Sequence, residues 1–207
     1  MNTVERVKAI CKERKIPVYK PEELQALLDN INPPMWYHLT KFLVLSGLRI
    51  GEAIALTPED IGEKYISVNK TFSVITGEIG DTKTDNSSRD VFIQPELRAA
   101  IEDYLLFRDE LPPSPFFFPG KKGPIVYGSY DKFLRELSEK ILGRRITPHA
   151  LRHTCASLFL ANGVSVDTIS RRLGHSDSKI TKEIYLHMTG KLKQADEIAL
   201  SRTVILP

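Results

Sequence analysis

Cysteine is scarce: Cys11 and Cys155 are the only two in 207 residues. Two thiols cannot build a disulfide framework or a four-cysteine zinc site. They fit a reducing compartment, and a cytoplasmic protein is expected. Long apolar runs are also lacking. The longest, around Phe42–Leu48 and Leu151–Ala161, fall far short of the ~20 residues that cross a bilayer. No membrane partner is expected. The opening stretch, MNTVERVKAICKERK, is charged and has no apolar core of the kind a secretory signal carries. Internal repeats and low-complexity stretches are absent. There is little net charge, only +3.

What the chain does have is a core. Apolar residues make up 42% of it and charged residues 27%. The length suits one domain with a short appendage. The small net charge is unevenly spread. Residues 1–20 carry +4, residues 140–191 carry +6, and the remainder is acidic at −7. Two basic segments on an acidic body could turn one positive face toward a polyanion. Taken alone, such runs also look like any solvated surface.

Pattern and punctuation divide the chain. Residues 1–15 read as a basic helical linker or the remnant of an upstream domain, broken at Ile16-Pro17. Helices are expected over Glu22–Ile31, with Pro21 at the first turn, over Met35–Ser46, and over Ile50–Leu56 after a break at Gly47. The middle is β-branched and aromatic. Lys64–Val74, Glu78–Lys83 and Arg89–Ile93 read as three strands of one small antiparallel sheet. Helices return at Pro95–Glu110, Tyr130–Leu142, Pro148–Asn162, Ser165–Leu173, Ser178–His187 and Leu192–Arg202. Thr147 and Ser165 suit N-caps, and Gly163 and Gly174 suit helix C-termini. Phe116-Phe117-Phe118, in a Pro/Gly-rich loop, reads as a buried plug, and Trp36 as core. The fold class is mainly α with a small antiparallel β-sheet.

Four clusters carry chemistry: Ser46–Glu52 around Arg49, Thr82–Asp85 around Lys83, His149–His153 around Arg152, and Leu173–Asp177 around His175. Tyr185 follows ten residues after His175. His149 and Arg152, three apart, share a helix face. No carboxylate pair accompanies them. Two guanidinium forks grip phosphate oxygens and can stabilise the charge of a phosphodiester displacement without a metal. A tyrosine can serve as nucleophile if a base or cations lower its pKa from about 10. Histidine is a suitable base, and a lysine can protonate a leaving oxygen. His149 and His153, spaced four apart, also have the spacing of a helical metal pair, but the glutamate and third ligand of such a motif are missing.

In order, the strings Gly47-Leu48-Arg49-Ile50-Gly51-Glu52, Lys83, His149-Ala150-Leu151-Arg152-His153, Leu173-Gly174-His175 and Tyr185 resemble the catalytic domain of the tyrosine recombinases, the phage-integrase family. The resemblance runs from about Ile16 to His187. It implies an integrase-type DNA breaking-rejoining fold over residues 16–187. It also implies roles. Tyr185 attacks the phosphate to form a 3′-phosphotyrosine. Arg49 and Arg152 hold the non-bridging oxygens, and His175 bonds the same phosphate. Lys83 protonates the 5′-oxygen, and His149 takes the tyrosine proton. Lys70, on the preceding strand, is the other lysine in reach of that role, and the Thr82-Lys83-Thr84 context favours Lys83. The family needs no cofactor and no metal.

Double-stranded DNA is the implied partner, with a homotetramer on paired sites as the working unit and no small-molecule substrate. Arg144, Arg145, Arg171 and Arg172 are candidates for DNA backbone contacts. The family's N-terminal DNA clamp would not fit in the 15 or so residues before the pattern. The tail, residues 188–207, would dock on a neighbouring subunit through Ile198, Leu200, Val204, Ile205 and Leu206. Two other readings share the chemistry or the fold: a type IB topoisomerase-like enzyme, and a DNA-binding protein without catalysis.

Overall fold

A computed structural model describes residues 19–81 and 88–174. Lys83, His175, Tyr185, both expected terminal segments and the last two expected helices lie outside the described residues. Helix α1 (Pro21–Asp29) leads to α2 (Pro34–Ser46) and the short α3 (Ile50–Ala55). Strands β1 (Tyr65–Val68), β2 (Lys70–Phe72), β3 (Ile79–Asp81) and β4 (Arg89–Phe92) follow. Then come α4 (Pro95–Arg108), the two-residue strands β5 (Pro119–Gly120) and β6 (Gly123–Pro124), α5 (Tyr127–Leu142), α6 (Pro148–Ala161) and α7 (Val166–Leu173).

The class is the expected one, mainly α with little β, but the expected three-stranded sheet is not formed among the described residues. The run 64–74 breaks at Asn69 and changes partner. β1 pairs with β4, Val68 opposite Arg89, while β2 pairs with β3, Lys70 opposite Asp81. β5 and β6 make a third antiparallel pair. Alternation along β1 and β4 still decides which side faces the core. Ile66, Val68 and Val91 point in and are buried, whereas Tyr65 and Phe92 point out and stack edge-on at 6.0 Å.

α2 is the hub of the core. Its Leu39, Phe42 and Leu43 are buried, and it packs on α4 and α6. The phenylalanine loop plugs the core's end. Phe117 and Phe118 are buried against Phe42 and Tyr104, in tilted or edge-on contacts of 4.6–5.9 Å. Such ring pairs are worth about 0.5–1.5 kcal/mol each beyond area burial. The plug's backbone is pinned as well: the Tyr104 hydroxyl donates to the Phe117 carbonyl and Arg108 to those of Ser114 and Phe116. Trp36 is partly buried and packs on Tyr130 and Phe133.

Helix ends matter most for the site. Ser165 caps α7, its hydroxyl accepting the Thr168 N–H at 3.3 Å. Thr147 occupies the N-cap position of α6 with extended backbone, yet its side chain makes no cap bond, and Pro148 at N1 sets the start instead. α2 stops at Gly47, whose φ of 73° is left-handed and favours glycine.

Candidate active site

Arg49 sits at the turn between α2 and α3, immediately before the first residue of α3. Glu52, at the third position of that helix, folds back, and its carboxylate accepts the Arg49 backbone N–H at 2.7 Å. This is half of a capping box. The same carboxylate accepts from the Arg49 guanidinium at 2.8 Å. Gly51, between them, lets α3 approach β2 closely: a Cβ there would lie 2.7 Å from the Phe72 carbonyl oxygen.

Arg152 projects from α6 and is buried, 2% exposed. It donates to the Gly47 carbonyl at 2.8 Å and to the Leu173 carbonyl. Both carbonyls lie at helix C-termini, where backbone acceptors lack intrahelical donors and the helix dipole is negative. Two helix ends therefore fix one guanidinium. Burial first, then the Arg49 charge, pulls its pKa down to about 9, leaving it charged at neutral pH. Arg49 reaches the next carbonyl, that of Gly174, at 3.4 Å. The structure thus brings Arg49 and Arg152 together at the end of α7, one residue before His175.

His149 lies one turn before Arg152 on α6. Its imidazole is held below the ordinary histidine value by desolvation first and then by the Arg152 and Arg49 charges. A neutral ring with a free nitrogen is what a proton acceptor needs. His153 packs edge-on against it, ring centroids 4.6 Å apart. Burial, then His149 and Arg152, pushes the His153 pKa down to about 4 from 6.5. As pH falls, the unfolded chain takes the proton first. Stability is therefore full above 6.5 and declines between about 6.5 and about 4. The decline should total about 1–3 kcal/mol. Urea midpoints across that range should fall in the wild type, and His153→Gln should make the slope shallower, leaving the part due to His149 and His38.

Lys70 is tied elsewhere. Its ammonium lies 2.7 Å from the carboxylate of the buried Asp60, which also bonds the Thr57 backbone N–H and hydroxyl. The four candidate backbone-contact arginines differ. Arg171 is exposed. Arg144 pairs with Glu23 and Arg145 with Glu139, each at 2.7 Å. Arg172 turns inward. It donates to the carbonyls of Leu45 and Phe92 and to the Gln94 side chain, and lies 4.9 Å over the Phe159 ring.

One residue of the cluster escaped sequence reasoning. Arg89, the first residue of β4, grips Glu52 with both terminal nitrogens, at 3.0 and 2.9 Å. Its Nε donates to the Arg172 carbonyl at 2.7 Å. The available signal was strand alternation, since Arg89 shares the inward face of β4 with Val91. Burial alone would raise the Glu52 pKa. The Arg89 bonds and charge, the Arg152 charge and the Arg49 amide outweigh it and hold the carboxyl below its usual range.

A mainly helical domain with small strand pairs, and with two arginines anchored on helix C-termini, has the fold of the DNA breaking-rejoining catalytic domains. The chain overlays the Tn1549 transposon integrase, solved in complex with transposon right end DNA, with a TM-score of 0.76 at 23% identity, covering 89% of this chain and 66% of that one. The phage integrase family model matches residues 17–191, and the chain belongs to that family. It is 31% identical over 176 residues to the integrase of Staphylococcus phage L54a, covering 77% of this chain and 50% of the relative. It is 32% identical over 161 residues to the tyrosine recombinase XerC of Chlamydia caviae, covering 75% and 48%. The chain spans about half the length of the curated relatives it matches.

Proposed function

We propose that the chain is the catalytic part of a site-specific DNA recombinase that integrates or excises a mobile element. The observation that carries this reading is the convergence of Arg49 and Arg152 at the C-terminal end of α7, beside His149. Two fixed guanidinium groups suit a phosphodiester whose non-bridging oxygens gain charge in the transition state.

On this reading, the Tyr185 oxygen attacks phosphorus, the bond to the 5′-oxygen breaks, and a 3′-phosphotyrosine forms. His149 receives the phenol proton. Lys83 gives a proton to the departing 5′-oxygen, and His175 bonds the phosphate beside the arginines. A 5′-hydroxyl from a second strand then reverses the step, and the phosphodiester bond energy is conserved. Double-stranded DNA is the substrate. Four copies on two sites form the working unit, with residues 188–207 docking in trans. The setting is the cytoplasm of a host cell; among the described residues, no helix is long and apolar enough to cross a membrane.

The test is covalent trapping. The protein is incubated with nicked and supercoiled DNA in EDTA, quenched with SDS, and the adduct digested with nuclease and protease. A nucleotide mass on the peptide that contains Tyr185 is expected. An adduct on any other residue, or none on DNA carrying the element's own ends, would overturn the reading. Joining of two defined sites, rather than relaxation of one plasmid, separates a recombinase from a topoisomerase.

A further inference from the structure

Glu52 poses an electrostatic problem. A buried carboxylate within hydrogen-bond reach of Arg49 draws on the charge that the phosphate needs. Arg89 is placed to answer it. Its fork covers both carboxylate oxygens, Nη1 on Oε1 and Nη2 on Oε2, while Nε holds the Arg172 carbonyl. The pair is shielded from water, with side chains 7% and 2% exposed. Gly174 makes the room: a Cβ there would lie 2.8 Å from Arg89 Nη1 and 2.9 Å from its Cδ. The glycine of Leu173-Gly174-His175 therefore serves Arg89 as well as the left-handed turn at φ 63°.

The geometry points to Arg89 as a positioning residue. It neutralises Glu52 in place and docks the end of α7, leaving the charges of Arg49 and Arg152 for the substrate phosphate. The inference rests on the function proposed above. It assigns Arg89 no contact with DNA. Lysine could not replace it, because one ammonium cannot bond both carboxylate oxygens and the Arg172 carbonyl in this planar arrangement. The charged groups facing Glu52 are Arg49 from the start of α3, Arg89 from β4 and Arg152 from α6.

The test is a double-mutant cycle of Arg89→Met and Glu52→Gln, with Arg89→Lys beside it. Adduct formation on nicked DNA, duplex affinity and affinity for vanadate, a mimic of the pentacoordinate phosphate, are measured for each. Arg89→Met should slow adduct formation about 30-fold and weaken vanadate binding in parallel, because Glu52 then holds Arg49 more tightly and offsets more of the Arg152 charge. Arg89→Lys should recover little. Adding Glu52→Gln to Arg89→Met should restore about 10-fold of the rate, the coupling expected of groups in one network. Duplex affinity should stay within about threefold throughout.

A merely structural Arg89 would make the double variant no better than Arg89→Met, and that result overturns the inference. So does an Arg89→Met protein with wild-type rate and vanadate affinity. If the wild type forms no adduct even on DNA carrying the element's own ends, the functional reading fails by itself. The vanadate series then decides the role of Arg89 alone, and an unchanged affinity in Arg89→Met rejects it.

Discussion

Arg152→Lys should reduce single-turnover adduct formation by about 10²–10³-fold, the usual effect of removing one preorganised donor from a transition-state oxyanion. The charge survives the change, but the fork does not. Arg152 bridges the Gly47 and Leu173 carbonyls and lies close enough to Arg49 for that charge to lower its pKa. A single ammonium nitrogen lacks the fork needed to bridge two helix ends and also face a phosphate. One buried carbonyl is left without a donor, which costs about 1–3 kcal/mol. Urea unfolding should register that loss, and duplex binding should change little, since Arg152 is buried and its charge is retained. A rate within threefold of wild type would mean that the charge alone matters and that the anchoring on helix ends is irrelevant to chemistry.

Gly47→Ala should destabilise the domain by about 2–4 kcal/mol, summing left-handed backbone strain and overpacking. The position has φ 73°, and a Cβ would meet Leu173 Cδ2 at 2.9 Å and Cys155 Sγ at 3.0 Å. Both neighbours are buried, so neither can swing into solvent. The strain also falls on the carbonyl that holds Arg152. Adduct formation should therefore drop even at temperatures where the variant is fully folded. Combining Gly47→Ala with Cys155→Ala removes one of the two collisions and should return part of the lost stability. Urea midpoints at unchanged slope are the measure. A single variant as stable as the wild type would show that the turn between α2 and α3 is looser than its contacts imply.

Much of this was legible in the residues. Among the described residues, periodicity, prolines and glycines place the helices within a few residues, because each signal acts locally. The three strand segments are legible too, whereas the inward face of Ile66, Val68 and Val91 comes from the structure. The change of partner at Asn69 was not legible, since strand pairing is decided by contacts distant in sequence. The motif strings single out Arg49, His149 and Arg152, which the fold gathers. Arg89 and the inward turn of Arg172 stayed hidden for one reason. A lone arginine in a sequence reads as surface, and only the tertiary structure reveals which carbonyls it faces. Lys70 is the converse case. It looked available on its strand, and Asp60, ten residues away, holds it.

The burial of the arginine cluster has a bearing on ionic strength. Added salt screens exposed charges over about 8 Å at physiological concentration and reaches buried pairs far less. Arg145 and Glu139, 65% and 50% exposed, belong to the first kind. Arg89 and Glu52 belong to the second. For a domain acting on DNA as proposed, salt should govern how often it lands on a duplex, through counterion release. The buried part of the charge arrangement, Arg152 with Arg89 and Glu52, should hardly notice, whereas Arg49, 40% exposed, feels part of the screening. Encounter and chemistry then answer largely to different variables, and a change of medium tunes the first far more than the second, which the buried members of the cluster hold as the fold has set it.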